Sequence, residues 1–223
     1  MMARIVAIDT TGAFGSIALL DGERLVEEAL LHSPDGLAHV VFPRLRDLVV
    51  SAGWKISDVD CFASAAGPGS FTGVRVSLAA VKGLAEAAAK PVVAVSNLEA
   101  LAWFGTAPLR AVLADGRRGQ IYGALYDSEL RPIRPEIAVA FPEWLATLPE
   151  GDMEFIATDF TPFEASLAGT RFAGIPVRQA SRALAPAIAR IAQARYRRGE
   201  VQDAAAIDAN YVRRSDAELF WKE

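Results

Sequence analysis

Two acidic turns and one glycine-rich loop hold the residue types in this sequence that could handle phosphate. Asp9-Thr10-Thr11-Gly12 lies between the apolar runs 5–8 and 16–20, and Asp115-Gly116 closes the apolar run 110–114. Such a turn can present backbone N–H groups and hydroxyls to a phosphate while its aspartate holds a metal-bound water. The same residues also suit a plain hairpin turn in which Asp and Thr bond to their own backbone. The loop Gly67-Pro68-Gly69-Ser70-Phe71-Thr72-Gly73 feeds a helix with Arg75 in its first turns. Its glycines permit close backbone approach, and helix N-termini attract anions. A tight strand-to-helix connection that draws the helix onto a sheet explains the loop equally well. It is not a Walker loop, because the Gly-Lys-Ser/Thr ending is missing. Nor is it a nucleophile elbow, since Pro68 and Thr72 stand where glycines would flank Ser70.

Other chemistries find little support. His32 and His39 are the two histidines, separated by Pro34 and Gly36 without metal-ligand spacing, so no metal site is expected. Neither has an evident nucleophile beside it, and no catalytic residue or cofactor is assigned. The single Cys61 excludes an internal disulfide and a cysteine cluster, and its apolar strand suits a buried filler. The net charge of −4 leaves no global field for a phosphate backbone, so tight binding of nucleic acid by the chain alone is not expected. Arg190, Arg195, Arg197, Arg198, Arg213 and Arg214 make the C-terminal part locally basic. They suit a solvated helix face or a modest contact with RNA or an acidic partner. No run approaches the roughly 18 apolar residues that a membrane span needs. The first residues reach Asp9 and two threonines too early for a signal peptide. The expectation is a soluble cytoplasmic protein.

The elements that must position these residues follow from periodicity. Strands are predicted at 5–8, 16–20 and 25–31, with Asp21-Gly22 as a hairpin turn. A helix over 38–52 carries apolar Ala38, Val41, Leu45, Leu48 and Ala52, stops at Gly53, and is kinked or interrupted in its first turn by Pro43. A strand at 59–66 leads through the glycine loop into a helix over 71–89, then a strand at 92–95 and a short helix over 98–104 capped by Asn97. After Thr106-Ala107-Pro108 the opening grammar returns, with a strand at 110–114, Asp115-Gly116 and a hairpin partner at 120–126. Residues 128–180 give no clear pattern, 183–198 form a helix, and a tail with Tyr211 and Phe220-Trp221 follows. The repetition predicts a duplicated α/β fold divided into residues 1–105 and 106–223.

The helix over 71–89 has too much apolar surface. Its charges, Arg75, Lys82 and Glu86, fall within about 40° of one another at 100° per residue, whereas a helix lying on one sheet needs an apolar stripe only somewhat over ~100° wide. The surplus is covered either within the monomer or by a partner. The preceding helix adds Val40, Phe42 and Val49 to its core stripe. On the partner reading the contact residues are Val40, Phe42, Val49, Val74, Ser77, Leu78, Val81 and Leu84, and Val74→Glu or Val81→Glu would break association.

The motifs in combination carry a resemblance. AIDTT near the start, AAGPGSFTGVRVSLAAVKGLA at 65–85, VSNLEALA at 95–102 and LADGRRGQIYGALYD at 113–127 occur in this order. Together they resemble the bacterial TsaB (YeaZ) family, which takes part in making threonylcarbamoyladenosine next to the anticodon of tRNAs that read codons starting with A. The resemblance implies an actin/Hsp70/sugar-kinase-like fold, two lobes with related βββαβα cores. It implies a non-catalytic subunit that pairs with the catalytic paralogue TsaD, is joined by the ATPase TsaE, forms homodimers through the same helices, and meets tRNA only through the complex. Asp9, Thr10, Thr11, Asp115 and Gly116 would then be vestigial phosphate loops. Two positions depart from the family pattern. Leu37 stands where a histidine often precedes the helix proline by six residues, with His39 two positions away, and Ala209-Asn210-Tyr211-Val212-Arg213 replaces a Pro-x-Tyr-Leu-Arg motif. The rival is an ATP-dependent phosphotransferase of the same fold. It needs a glycine-rich adenosine motif, and the late candidate Ala157-Thr158-Asp159-Phe160 lacks paired glycines.

Overall fold

The structure, a computed structural model, describes residues 3–213. Its first strand, β1 (Arg4–Asp9), is apolar at every position from Ile5 to Ile8 and buried on both faces, as a central strand between two layers must be. It pairs antiparallel with β2 (Phe14–Asp21), which turns back into β3 (Arg24–His32). On its other side β1 runs parallel to β4 (Cys61–Ala65), followed by β5 (Val92–Val95), giving the order β3-β2-β1-β4-β5. The connections that carry the chain between parallel strands are helical: α1 (Val41–Ser51) and α2 (Phe71–Ala88), with α3 (Asn97–Ala102) after β5. The first turn expected from Ala38 is separate, a turn over 38–40, and α1 begins at Val41 with Pro43 in its own first turn, where a missing N–H costs nothing.

Alternation along the strands sorts the two faces. Val6, Ile8, Ile17, Leu19 and Phe62 join the side chains of α1 and α2 in one apolar cluster. The intervening residues, Ile5, Ala7, Ala18 and Leu20, point to the opposite face, and α6 (Ala185–Arg197) packs across β1, β2, β4 and β5. This helix is distant in sequence but contributes the fully buried Ala187, Ile188 and Ala189.

A second sheet repeats the order. β6 (Leu109–Arg117), β7 (Gln120–Asp127) and β8 (Pro132–Ala140) form an antiparallel meander; β9 (Met153–Ala157) and β10 (Val177–Gln179) run parallel to β6, giving β8-β7-β6-β9-β10. The helices α4 (Phe141–Thr147) and α5 (Glu164–Leu167) are short. The stretch 128–180, which gives no readable period, therefore holds β8, α4, β9, α5 and β10. Two five-stranded mixed sheets of matching order make this an actin/Hsp70/sugar-kinase-like fold.

The two compact units are not divided at 105/106. One contains the chain up to Asn97 and takes back Arg182–Asn210; the other contains Leu98–Ser181 and the chain from Tyr211 onward. Two physical causes move the boundary. The apolar side of α6, with Ala204 and Ile207 after it, is buried in the first unit. A polar clamp fastens residues 102–107 to the second unit. There the guanidinium of Arg110 donates to the carbonyls of Ala102 (3.1 Å) and Ala107 (3.3 Å). The buried Glu154 carboxylate accepts the N–H groups of Thr106 and Ala107.

Candidate functional site

The glycine loop and α2 are built onto the end of β1 by backbone contact. A Cβ on Gly73 would lie 2.1 Å from the Thr10 carbonyl oxygen, and one on Gly69 would lie 2.7 Å from that of Thr11. Only glycine lets the helix start this close to the sheet. Ser70 caps α2 through its hydroxyl, which accepts the Gly73 N–H, while its own N–H donates to the Thr11 carbonyl at 2.7 Å. The Thr10 hydroxyl donates to the Gly73 carbonyl at 2.7 Å, and the Ser77 hydroxyl donates to the Ile8 carbonyl at 2.8 Å.

The acidic turn is closed on itself. Asp9 Oδ1 accepts the Thr11 N–H at 2.9 Å and the Thr11 hydroxyl at 2.6 Å. Asn97 Nδ2 donates to Thr11 Oγ1 at 2.6 Å, and Asn97 Oδ1 accepts the Gly67 N–H at 2.9 Å. The Asn97 side chain thus ties β1 to the glycine loop. Asp9, Thr10 and Thr11 are all buried. Burial pushes the Asp9 carboxyl above the usual aspartate range, and the bonds from Thr11 and Asn97 only partly oppose the shift. By linkage, the stabilisation from this group is complete at acid pH and fades as pH rises through its raised pKa. The Thr11 N–H and the hydroxyls of Thr10 and Thr11, groups that could cradle a phosphate, are committed within the chain. The second acidic pair is not a turn at all. β6 continues through Asp115 and Gly116 to Arg117 with a register shift, and the turn falls on Arg118 and Gly119, both at positive φ. The adenosine-motif candidate ends in the aromatic core, with the Phe160 ring 5.6 Å from Phe155.

The expected partner-facing residues divide sharply. Val49, Val74, Ser77, Leu78 and Val81 are buried within the monomer and are corrected to core positions. Val74 and Val81 join the cluster beneath α2, so a glutamate at either would strike the fold. Val40 and Leu84 are half-buried, and Phe42 is 49% exposed. The outer side of α2 instead carries Ala79, Gly83 and Ala87 in the open, with Val76 half-buried among them. Val50 on α1 is 70% exposed. Periodicity misses Ala79, Gly83 and Ala87 because small residues are neutral in a hydrophobic count; their absence of bulk on the side flanking the charge stripe is the available signal. The stripe itself lies as expected, with Arg75 and Glu86 exposed and Lys82 half-buried, and Arg75 stacks on Phe71 at 3.6 Å.

The remaining candidates resolve locally. His32 stacks on Phe14 at 4.8 Å, and His39 Nε2 lies 3.3 Å from the Ser33 hydroxyl. Burial pushes the Cys61 thiol up to about 12. Arg190 and Arg195 donate to the carbonyls of Glu23 and Ala94, and Arg197 and Arg198 pair with Glu23 and Glu200. Arg213 donates to the Gly116 carbonyl at 3.0 Å, while Arg214, Phe220 and Trp221 lie outside the described residues. Among the described residues no helix is long and apolar enough to cross a membrane, and no three His, Cys, Asp or Glu side chains converge as metal ligands.

Residues 38–205 match the family model described as TsaD: tRNA N6-adenosine threonylcarbamoyltransferase. The tRNA threonylcarbamoyladenosine biosynthesis protein TsaB of Bacillus subtilis is 33% identical over 66% of this chain and 67% of its own length. The chain belongs to the TsaB (YeaZ) family. Its Escherichia coli relative of the same description is 33% identical over 56% of each chain. The solved structure described as YeaZ from Pseudomonas aeruginosa superposes with a TM-score of 0.82 at 29% identity, covering 94% of this chain and 100% of that one. The family's connection is to tRNA threonylcarbamoyladenosine biosynthesis.

Proposed function

We propose that this chain is a non-catalytic subunit of the machinery that adds threonylcarbamoyl to the adenosine next to the anticodon. It docks a TsaD-type catalytic paralogue on the outer side of α1 and α2, is joined by a TsaE-type ATPase, and pairs with a second copy of itself when alone. The observation that carries this reading is the set of apolar or small residues left in the open, Phe42 and Val50 on α1 and Ala79, Gly83 and Ala87 on α2. At Gly83 an added Cβ would meet nothing within 4 Å. Mid-helix glycine costs about 1 kcal/mol relative to alanine, and the monomer's own packing gives no reason to retain it. The match to the transferase model over residues 38–205 supports a partner built on the same fold.

The buried acidic turn supports absence of phosphotransfer, because the Thr11 N–H and both threonine hydroxyls already have partners within the chain. The paired arginines of α6 support a chain that reaches tRNA through the complex, in the cytoplasm. The test is a matched pair of substitutions. Ala79→Glu keeps the melting temperature and weakens association with the transferase paralogue by about tenfold or more, because the added carboxylate must be desolvated on docking while Arg75 and Lys82, one turn to either side, compensate it only in part. Val81→Glu, two positions on, unfolds the protein. Association unchanged in Ala79→Glu, measured by calorimetry, would sink the docking face. Turnover of ATP by the purified chain, abolished by Asp9→Asn, would sink the non-catalytic role.

A further inference from the structure

We propose that the acidic turn at residues 9–11 is the positioning element of the docking helix, with Thr10 and Ser77 setting the rotation of α2 against β1. The inference rests on the docking reading above and assigns a working role to residues that would otherwise be remnants. Three hydrogen bonds join the end of β1 and its turn to the start of α2: Ser70 N–H to the Thr11 carbonyl, Thr10 hydroxyl to the Gly73 carbonyl, and Ser77 hydroxyl to the Ile8 carbonyl. They reach the glycine loop, the first turn and the second turn of the helix in succession. Ser77 also meets the Ser64 hydroxyl of β4 at 3.0 Å, so the helix is referenced to two neighbouring strands.

Apolar packing alone does not fix such a helix. To the cluster beneath it α2 contributes Val74, Leu78, Ala80, Val81 and Ala85, apolar contacts that carry no direction of their own. The directional bonds remove that freedom. At 100° per residue, Gly73 and Ser77 lie roughly 90° round the helix from Val76 and Gly83. A helix with its side chains is about 10–12 Å across, so a rotation of roughly 20° would carry the outer face by nearly 2 Å. An interface packed as densely as a protein interior does not absorb that displacement. Asp9 completes the device by fixing Thr11 through its N–H and its hydroxyl, which holds the Thr11 carbonyl on Ser70.

The test uses the full chain and the transferase paralogue, with the dissociation constant read at a temperature where every variant is folded and the melting temperature read separately. Thr10→Val deletes the donor while keeping the shape, and Ser77→Ala deletes the second. Both weaken binding by about fivefold or more, as expected for residues that act through another element, and Thr10→Ser restores it. A structural role alone would lower the melting temperature and leave binding unchanged, and that result overturns the inference. Ala79→Glu measured alongside separates the two failures. If it abolishes binding while Thr10→Val does not, the positioning role is wrong and the docking face stands. If neither variant weakens binding, the docking face itself is wrong.

Discussion

The two units share a strand order and differ in what joins their fourth and fifth strands. In the first, β4 leads through the glycine loop into the 18 residues of α2. In the second, the corresponding stretch between β9 and β10 contains a single 3-10 turn, Thr161–Phe163, and the four-residue α5. The cores differ accordingly. To the first core α2 contributes only Val, Leu and Ala, with Phe62 and Trp54 as the large rings of that cluster, whereas the second unit packs Phe141, Trp144, Phe155, Phe160, Phe163 and Phe172 together, with ring centroids such as Phe141 and Phe163 5.0 Å apart. A long helix of small residues lies flush on a sheet and leaves a smooth outer side. Short helices cannot cover a sheet with aliphatic stems, so large rings fill the space instead. One scaffold thus yields a surface suited to docking in one unit and an aromatic core closed on itself in the other.

Three substitutions sharpen that contrast, beginning with the aromatic core. Phe155→Ala removes a fully buried ring at its centre and should cost about 3–5 kcal/mol of stability, followed by urea unfolding. Association through α1 and α2 should persist at temperatures where the variant is folded. Loss of association without loss of stability would contradict the separation of roles.

The clamp of the second unit gives a smaller, pH-dependent effect. Burial alone would raise the Glu154 pKa, but the Ala107 N–H, the Arg178 guanidinium at 2.7 Å and the Thr106 N–H outweigh it and hold the carboxyl below the usual glutamate range. A depressed folded pKa means stabilisation that is complete above the ordinary glutamate pKa and lost as pH falls through the folded value. Arg178 is 40% exposed, so solvent screening weakens the pair. Glu154→Gln should cost about 1–3 kcal/mol at neutral pH. The cost should shrink in melts repeated at successively lower pH from about 4.5 downward. A pH-independent cost would show that the charge of Glu154 does not hold residues 106 and 107.

The smallest expected effect is at Gly83. Gly83→Ala should stabilise the monomer by about 1 kcal/mol, because the added methyl meets open space. It should weaken association, because the methyl stands on the side of α2 proposed to dock. A variant that gains stability and keeps its affinity would place the partner elsewhere on the helix.

Much was legible in the residues alone. The apolar runs around Asp9-Thr10-Thr11-Gly12 mark β1 and β2, Gly67–Gly73 marks a strand-to-helix loop, and the charge stripe of Arg75, Lys82 and Glu86 marks the solvent side of α2. These are local signals, carried by periodicities of two and 3.6 residues and by glycine's lack of a side chain. The family motifs occupy the same stretches. The sequence also exposed an excess of apolar surface on α2, because that excess is a count around one helix. It could not divide the excess between sheet and solvent, since Val81 and Ala79 are both small and apolar and differ only in what lies across from them. That decision belongs to the tertiary structure, where β1 and β4 meet one side of the helix. The same holds for the unit boundary, set by α6 returning from the far end of the chain, and for the acidic turn. Asp9 and Thr11 read as a phosphate loop until the packing of Gly69 and Gly73 against them takes up the space. Short-range pattern fixes which elements form; burial and hydrogen-bond partners, which join residues far apart in the chain, fix what each face is for.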